Sequence, residues 1–338
     1  MSTVAVVILN YNGKDYLKQF LPTLKKYSQG QQIVVADNQS TDGSMDFLTH
    51  HHRDVRQIIL SKNFGYSEGY NQALQQIEAD YYVLLNSDIE VTENWIQPII
   101  TLMDENPQIA ACQPKILSFD QPEKFEYAGA AGGFVDVLGY PFCRGRIFDM
   151  IENDNGQYDD IREVFWATGA CLFVRASAYF KAGGLDPDYF AHMEEIDLCW
   201  RLKRMGYKIF YCGNSKVYHV GGGTLHKSNP FKTYLNFRNS LVTLYKNSTA
   251  NQLLWKIPLR WLLDVVAAIR FLGSFSFGDF WAVGRAHTTF LLNIFSIEKK
   301  RRAVLTLGST LSVKEVFKRS IVIAYFLKNV KIFSNLRF

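Results

Sequence analysis

The chain has 338 residues, which is enough for one large domain with an appendage or for two domains. With 48% hydrophobic and 20% charged residues it is a folded globular protein, so disordered and fibrous classes are excluded. Five cysteines form no C-x-x-C pair, which argues against a disulfide framework and against a zinc site. Residues 4–9 are apolar but lack a basic leader and are too short for a signal peptide, so we expect a reducing, cytoplasmic compartment.

Charge is distributed unevenly along the chain. Residues 251–338 contain 14 basic and 4 acidic residues, a net charge of +10, whereas residues 1–250 contain 23 and 28, a net charge of −5. A basic tail is typical of contact with nucleic acid or with an anionic membrane. The apolar and aromatic composition of this tail favours the membrane and argues against nucleic acid.

The first 117 residues alternate between strand and helix patterns. Short β-rich apolar runs predict strands at 4–9, 32–36, 57–60 and 81–85. Apolar residues at helical spacing predict helices at 14–27, 43–50, 67–77 and 92–104. This rhythm predicts an α/β fold with a mostly parallel, doubly wound sheet.

Each predicted strand ends in polar residues, and such strand ends share one edge of a parallel sheet, where α/β proteins bind ligands. The residues in question are Asn10 and Asn12 after the first strand, Asp37 after the second, Lys62, Asn63 and Gly65 after the third, and Asn86, Ser87 and Asp88 after the fourth. Four polar ends along one edge predict a ligand-binding crevice.

The fourth strand end suits a divalent cation. The carboxylate of Asp88 and the amide oxygen of Asn86 are the hard oxygen ligands that Mg²⁺ or Mn²⁺ prefers when it carries a diphosphate. At the second strand end, the carboxylate of Asp37 is suited to accept the ring N–H of uracil or thymine. The plainer interpretation of the fourth strand end is a turn before a helix, with Thr92 as the N-cap.

Seven motifs occur in the order VVILNYNG, VVADNQSTDGS, KNFGYSEGYNQAL, LLNSD, WATGACLFVR, GGLDPDYFAHMEEIDLCWRLKRMGY and VYHVGGGT. Together they resemble family 2 glycosyltransferases of the GT-A fold, over about residues 3–247, and most of all the bacterial rhamnosyltransferase-like branch. The resemblance implies an inverting, metal-dependent transferase. Such an enzyme moves a sugar, such as rhamnose or a hexose, from a dTDP- or UDP-sugar to a hydroxyl of a lipid-linked or polysaccharide acceptor in bacterial surface glycan synthesis.

The resemblance also implies roles for particular residues. Asn10, Asn12, Asp37, Lys62, Asn63, Gly65, Asn86 and Ser87 would contact the donor nucleotide, and Arg238 would reach its phosphates. Asp88 and His219 would bind the metal, although a packed histidine at a strand end is an equal alternative for His219.

The catalytic and acceptor sites are assigned in the same way. Glu195 would be the general base with Glu194 beside it, and Trp166, Thr168, Gly169 and Asp197 would border the acceptor. Simple compensation of a helix dipole is the alternative for the acids, and a core anchor is the alternative for Trp166. We also expect Asp197 to pair with Arg201 on one helix face. For Arg238, an amphipathic helix that packs against the domain is the alternative, and it is compatible with phosphate binding.

The remaining segments leave alternatives open. Residues 118–165 are interpreted as an excursion lining the acceptor side or as a surface insertion. Residues 1–250 are predicted to be the catalytic domain, and residues 251–338 a helical tail. On a helix at 253–272, Lys256, Arg260 and Asp264 form a narrow polar stripe, which predicts attachment in the membrane interface on the inner face of the plasma membrane. The alternative is a helical subdomain that packs on the core or on a partner chain, including a second copy.

Other function classes are less consistent with the sequence. A dehydrogenase is disfavoured because no G-x-G-x-x-G follows the first strand. A nucleotidyltransferase would carry a Gly-rich basic loop there, and residues 10–13 are not one. A non-catalytic sugar-nucleotide-binding or scaffold protein remains an alternative, although the acids at 88, 194 and 195 argue against it.

Overall fold

The computed structural model describes residues 2–221, 229–308 and 313–338. The last residues of the VYHVGGGT motif lie outside the described residues. Within them the strands are β1 Val4–Asn10, β2 Gln32–Asp37, β3 Arg56–Ile59, β4 Tyr81–Leu85, β5 Ile89–Val91, β6 Ile109–Ser118, β7 Gly133–Asp136, β8 Pro141–Cys143, β9 Arg146–Ile147, β10 Met150–Ile151, β11 Ile161–Val164, β12 Cys171–Arg175, β13 Lys208–His219 and β14 Val316–Phe317.

The helices surround these strands and continue beyond them. They are α1 Lys14–Tyr27, α2 Ser44–His51, α3 Gly65–Leu74, α4 Gln97–Glu105, α5 Ala176–Lys181, α6 Glu194–Arg204, α7 Pro230–Asn247, α8 Ala250–Gly273, α9 Phe277–Leu292, α10 Ile294–Thr306 and α11 Ile321–Phe326.

A central sheet with the order β11-β13-β6-β12-β4-β1-β2-β3 positions the site, and β5 joins it by pairing with β13. The strands β3, β2, β1 and β4 are parallel, as predicted. Beyond β4 the sheet is mixed, because β12 runs antiparallel to both β4 and β6 whereas β6 and β13 are parallel. All five residues of β4 are buried, as expected for a strand covered on both faces.

Residues 118–165 contribute to a second sheet instead of a loose insertion. Its order is β10-β9-β8-β7-β14, so its last strand comes from the far C-terminus. Phe333, in the described segment 313–338, packs there against Phe134, with ring centroids 4.9 Å apart. The final part of the predicted tail is therefore part of the main hydrophobic core and not a separate appendage.

Helices α8, α9 and α10 pack on or beside α7. A capping box formed by Thr249 and Gln252 starts α8. The predicted polar stripe of Lys256, Arg260 and Asp264 is present, and all three side chains are buried against the protein. No helix among the described residues is long and apolar enough to cross a bilayer.

Candidate active site

The first two strands end in a hydrogen-bonded polar cluster. Asn10 and Asp37 lie opposite each other in the register of β1 and β2, and Nδ2 of Asn10 donates to Oδ1 of Asp37 at 3.2 Å. The backbone N–H of Ser40 donates to Oδ2 of the same carboxylate at 3.0 Å. Asn12 accepts from the backbone N–H of Thr41 at 2.7 Å. The cluster holds the Asp37 carboxylate rigidly while leaving its oxygens further acceptor capacity.

Asn38, which the sequence analysis did not single out, connects this cluster to the loop after β3. Its Nδ2 donates to Oδ1 of Asn63 at 3.1 Å and to the carbonyl of Gly65 at 3.0 Å. Gly65 has a φ of +73°, and a Cβ at that position would lie 2.5 Å from the Phe190 ring, so only glycine fits. Lys62 is exposed, with its Nζ 5.0 Å from the centroid of the Phe64 ring.

Asp88 and His219 meet where β4 and β13 end. Nε2 of His219 lies 3.1 Å from Oδ1 of Asp88, and its Nδ1 lies 3.3 Å from Oε2 of Glu126. All three side chains are buried. Burial disfavours the charged imidazole, but the two carboxylates outweigh it and raise the pKa of His219 to about 10. Glu126 was missed by the sequence analysis, because nothing in the irregular stretch around it distinguishes it from a surface acid.

This pair offers a divalent cation one carboxylate oxygen and one imidazole nitrogen. Among the described residues, no group of three or more His, Cys, Asp or Glu side chains is arranged to hold a metal. The donor set therefore fits Mg²⁺ or Mn²⁺ that takes its other ligands from a diphosphate and water. The neighbouring Asn86 and Ser87 are partly buried at the same strand end. Ser87 lies close to the loop after β1, since a Cβ at Gly13 would be 3.2 Å from Oγ of Ser87.

Glu194 and Glu195 open α6. Burial raises the pKa of Glu195 to about 7, although the backbone amides of Ile196 and Gly169 hydrogen-bond its carboxylate. Burial and the neighbouring charge of Glu195 raise the pKa of Glu194 well above its usual value. A carboxylate that titrates near neutral pH is suited to general-base work, which simple dipole compensation would not require.

The loop before α6 has a strained backbone, and hydrogen bonds from α7 hold it in place. Phe190, His192 and Met193 have φ values of +62°, +68° and +74°, a region that non-glycine residues adopt only when the surroundings enforce it. Nδ2 of Asn239 donates to the carbonyls of Ala191 and His192, both at 2.8 Å. Asn239 therefore holds the loop that carries the two acids.

Arg238, predicted to reach phosphate, hydrogen-bonds the same loop. Its Nη2 donates to the carbonyl of Asp188 at 2.5 Å, and its Nε donates to Oδ1 of Asn239 at 2.7 Å. The helix that carries Arg238 packs on the domain, which fits the alternative given for it from the sequence. These bonds give Arg238 a structural role, while phosphate binding by Arg238 stays a prediction.

The predicted acceptor residues divide into two groups. The Gly169 carbonyl accepts from the Tyr66 hydroxyl at 2.7 Å, and the backbone amide of Gly169 hydrogen-bonds the Glu195 carboxylate. Trp166 and Thr168, in contrast, are buried, and Nε1 of Trp166 donates to the Phe134 carbonyl at 2.9 Å. The geometry of Trp166 fits the core-anchor alternative.

Asp197 lies in the interior of the protein. It is fully buried and forms ion pairs with Arg201 at 2.9 Å and with Lys246 at 3.0 Å. The expected pair with Arg201 is present, and the geometry of Asp197 fits a structural role instead of contact with an acceptor.

A chain of contacts joins these strand ends. Ile8 of β1 is paired with Leu85 of β4, so the Asn10 and Ser87 ends lie side by side. The backbone N–H of Asn86 donates to the Ala170 carbonyl at 3.0 Å, which brings the fourth strand end next to Gly169 and Glu195. The nucleotide, metal and base candidates therefore lie along one edge of one sheet.

The model of glycosyl transferase family 2 matches residues 5–176, about half of the chain. The chain belongs to glycosyltransferase family 2. Among its relatives is the N-acetylglucosaminyl-diphospho-decaprenol L-rhamnosyltransferase of Mycobacterium tuberculosis, which is 26% identical over 78% of this chain and 90% of that protein. The rhamnosyltransferase WbbL of Escherichia coli is 23% identical over 62% of this chain and 80% of that protein. These relatives support the rhamnosyltransferase-like branch.

Solved structures show the same GT-A fold. The mannosyltransferase PcManGT of Pyrobaculum calidifontis, solved with GDP-Man and Mn²⁺, has a TM-score of 0.51 and 12% identity over 90% of this chain and 86% of that one. GalNAc-T7, solved with UDP, GalNAc and Mn²⁺, has a TM-score of 0.54 and 15% identity over 72% of this chain. This chain spans only about half, 48%, of the GalNAc-T7 chain.

Proposed function

We propose that this glycosyltransferase moves a sugar, with inversion, from a dTDP- or UDP-sugar to a hydroxyl of a lipid-linked or polysaccharide acceptor in bacterial surface glycan synthesis. The observation that carries the proposal is Glu195, whose pKa of about 7 and position beside Gly169 suit a base on the sheet edge that also holds Asp37 and Asp88. The rhamnosyltransferase and hexosyltransferase names of its relatives support the donor and acceptor classes.

The base role follows from proton transfer. In the ionised state, Glu195 would accept the proton of the acceptor hydroxyl. The hydroxyl oxygen would at the same time attack the anomeric carbon, on the side opposite the leaving diphosphate. The new C–O bond forms as the sugar–phosphate bond breaks, and the electron pair leaves with the nucleotide diphosphate. Because only the ionised form accepts a proton, the rate of transfer should rise as pH increases through about 7.

We further propose that Asp88 and His219 hold Mg²⁺ or Mn²⁺. A bound cation would neutralise charge on the leaving diphosphate. Since a metal ligand must be an unprotonated imidazole nitrogen, binding would displace the proton that His219 shares with Asp88. Asp37 with Asn10, Asn12, Lys62 and Asn63 would bind the nucleotide.

We also propose that the chain works at the inner face of the plasma membrane without spanning it. The basic, apolar composition of residues 251–338 supports this proposal, as does the decaprenol-linked substrate named for the mycobacterial relative. Homo-oligomerisation is the competing use of the same region.

The test measures release of nucleotide from UDP- and dTDP-sugars with and without Mn²⁺, and nucleotide binding by thermal shift. We expect Glu195→Gln to slow turnover by about 10²–10⁴-fold while leaving nucleotide binding intact. Asp88→Ala should abolish the stimulation by Mn²⁺. The exposed Glu93→Gln is the matched control and should behave as the wild type.

Two results would contradict the proposal. Equal turnover of Glu195→Gln and Glu93→Gln would remove Glu195 as the base. Tight nucleotide binding by the wild type with no turnover of any donor, in the presence of acceptor lipids, would instead support the non-catalytic binding protein.

A further inference from the structure

Helix α8 has its polar face inside and its apolar face outside. Arg260 and Asp264 are each 1% exposed, whereas Leu262, Val266 and Ile269 are 60%, 56% and 61% exposed. The exposed residues follow one another at spacings of three and four, so they share one face of the helix. A helix that packs on a water-soluble core shows the opposite distribution.

The buried charges fix this orientation. Nη1 of Arg260 donates to the Leu138 carbonyl at 3.1 Å, and Oδ1 of Asp264 accepts from the Tyr140 hydroxyl at 3.1 Å. Nε2 of His287 on α9 lies 3.1 Å from Oδ2 of Asp264. Rotating α8 to bury its apolar face would break these bonds and leave charges without partners, so the apolar face stays outward.

The exposed apolar surface extends beyond α8. Phe275, in the turn between α8 and α9, is 81% exposed, and Trp281, on α9, is 72% exposed. At the junction of α9 and α10, Leu292 is 78% and Phe295 is 88% exposed. Scattered surface hydrophobics are ordinary, but large aromatic and aliphatic side chains on three successive helices mark a surface that binds something apolar. We call these helices, with their exposed apolar residues, the outer helical face.

The charges around the outer helical face favour an anionic partner. The four acids of residues 251–338 all have partners: Asp264 with His287, Asp279 with Thr233, Glu298 with Arg302, and Glu315 with Lys203. On α8, α9 and α10, the exposed cations without an acidic partner among the described residues include Arg270, Arg285 and Lys299. Lys299 follows Phe295 by one helical turn on α10, so apolar and basic groups share that face.

We propose that the outer helical face lies on an anionic lipid bilayer, with its apolar residues in the headgroup–acyl boundary and its lysines and arginines at the lipid phosphates. The proposal rests on the proposed function for the membrane location, and it adds the surface and the orientation. A second copy of this chain is a poorer occupant, because it would bring two uncompensated basic surfaces together.

The same contact would bring the active-site loop to the membrane. Phe231 at the start of α7 packs on Phe190, with ring centroids 6.2 Å apart, and Phe190 precedes the two catalytic acids by a few residues. Phe231 also lines a cleft of about 580 Å³, together with Trp281 of the outer helical face. An acceptor whose lipid remains in the bilayer would therefore reach Glu195 without leaving the surface.

The experiment is flotation of the full chain with vesicles. One set contains phosphatidylcholine alone and the other contains about 30% phosphatidylglycerol, an anionic lipid. We expect binding to the anionic vesicles only, and weaker binding as salt rises from about 0.1 M to about 0.5 M. Leu262→Asp/Val266→Asp/Ile269→Asp should bind at least about tenfold more weakly, because three apolar side chains no longer enter the boundary.

The controls distinguish the apolar contribution to vesicle binding from the electrostatic one, and both from catalysis. Ile59→Asp changes an equally exposed isoleucine, 71% exposed, on the central sheet and should bind vesicles as the wild type does. Arg270→Gln/Lys299→Gln should weaken binding by about fivefold for each cation removed. Donor turnover of the triple variant in solution, without vesicles, should equal that of the wild type, so loss of catalysis and loss of membrane binding are read separately.

Two results would overturn the proposal. The first is equal flotation of the wild type and the triple variant. The second is a stable dimer of the wild type, seen by sedimentation, that the triple variant lacks while neither protein floats. That result would assign the outer helical face to a second copy.

Discussion

His219 lies between two carboxylates, which face opposite nitrogens of its ring. Asp88 faces Nε2 at 3.1 Å and is free to share a cation with it, whereas Glu126 faces Nδ1 at 3.3 Å. Glu126 also accepts from the backbone N–H of Ala128, which fixes the carboxylate. A carboxylate on the far nitrogen of a metal-binding histidine sets the ring orientation and its tautomer. Glu126 is therefore a positioning residue for the proposed cation site.

Replacing Glu126 tests this arrangement. Glu126→Ala should weaken Mn²⁺ binding by about 10–100-fold, because the ring loses the partner that directs Nε2 toward the metal. Glu126→Gln keeps an acceptor oxygen and should lose much less. Mn²⁺ binding is measured by the loss of the free-ion EPR signal, which requires no turnover.

The exposed Glu123→Gln is the control for general charge removal. Equal Mn²⁺ affinity of Glu126→Ala and the wild type would mean that Asp88 alone orients the site.

At the scale of elements, α7 supports the loop that precedes the proposed catalytic acids. The side-chain amide of Asn239 on α7 donates to three carbonyls of the loop, those of Tyr189, Ala191 and His192. The loop needs this support because its left-handed residues would relax without it. The acids at the start of α6 are thus positioned by a helix that lies outside the central sheet.

We expect Asn239→Asp to misplace the acids, because a carboxylate cannot donate to those carbonyls and repels them. The free energy of unfolding should fall by about 1–3 kcal/mol, as for loss of buried hydrogen bonds. In steady-state kinetics kcat should fall at least tenfold while KM for the donor changes little. Asn251→Asp, at an exposed position on α8, is the matched control.

Sequence patterns predicted the first strands and helices within a few residues because these elements bury regular faces. The exception is instructive: the helix predicted from residue 92 starts at Gln97, because residues 89–91 pair with β13 and the Thr92 hydroxyl bonds the Lys216 carbonyl. That pairing is long-range, so no local pattern reveals it. The roles of Glu126 and Asn239 could not be predicted from the sequence for the same reason, since each depends on a partner distant in sequence.

At the scale of the whole molecule, residues 313–338 pack into the same hydrophobic core as the two sheets. The C-terminal Phe333 is buried against the second sheet, with ring centroids 4.9 Å from Phe134 and 6.2 Å from Phe142. The backbone N–H of Ile321 donates to the buried Asp136 at 2.9 Å. The periodicity of residues 251–338 showed amphipathic helices but could not show which face they bury, because burial of Arg260 and Asp264 depends on partners on other elements.

This packing predicts that the catalytic domain depends on its C-terminus for stability. Phe333→Ala should lower the free energy of unfolding by about 3–5 kcal/mol, since it removes a buried aromatic ring and leaves a cavity. The midpoint of urea unfolding, followed by tryptophan fluorescence, measures the effect. Phe275→Ala, at a side chain that is 81% exposed, removes the same ring from the outer helical face and should shift the midpoint little. Equal midpoints for the two variants would mean that residues 313–338 are an independent appendage, and that the catalytic domain folds without them.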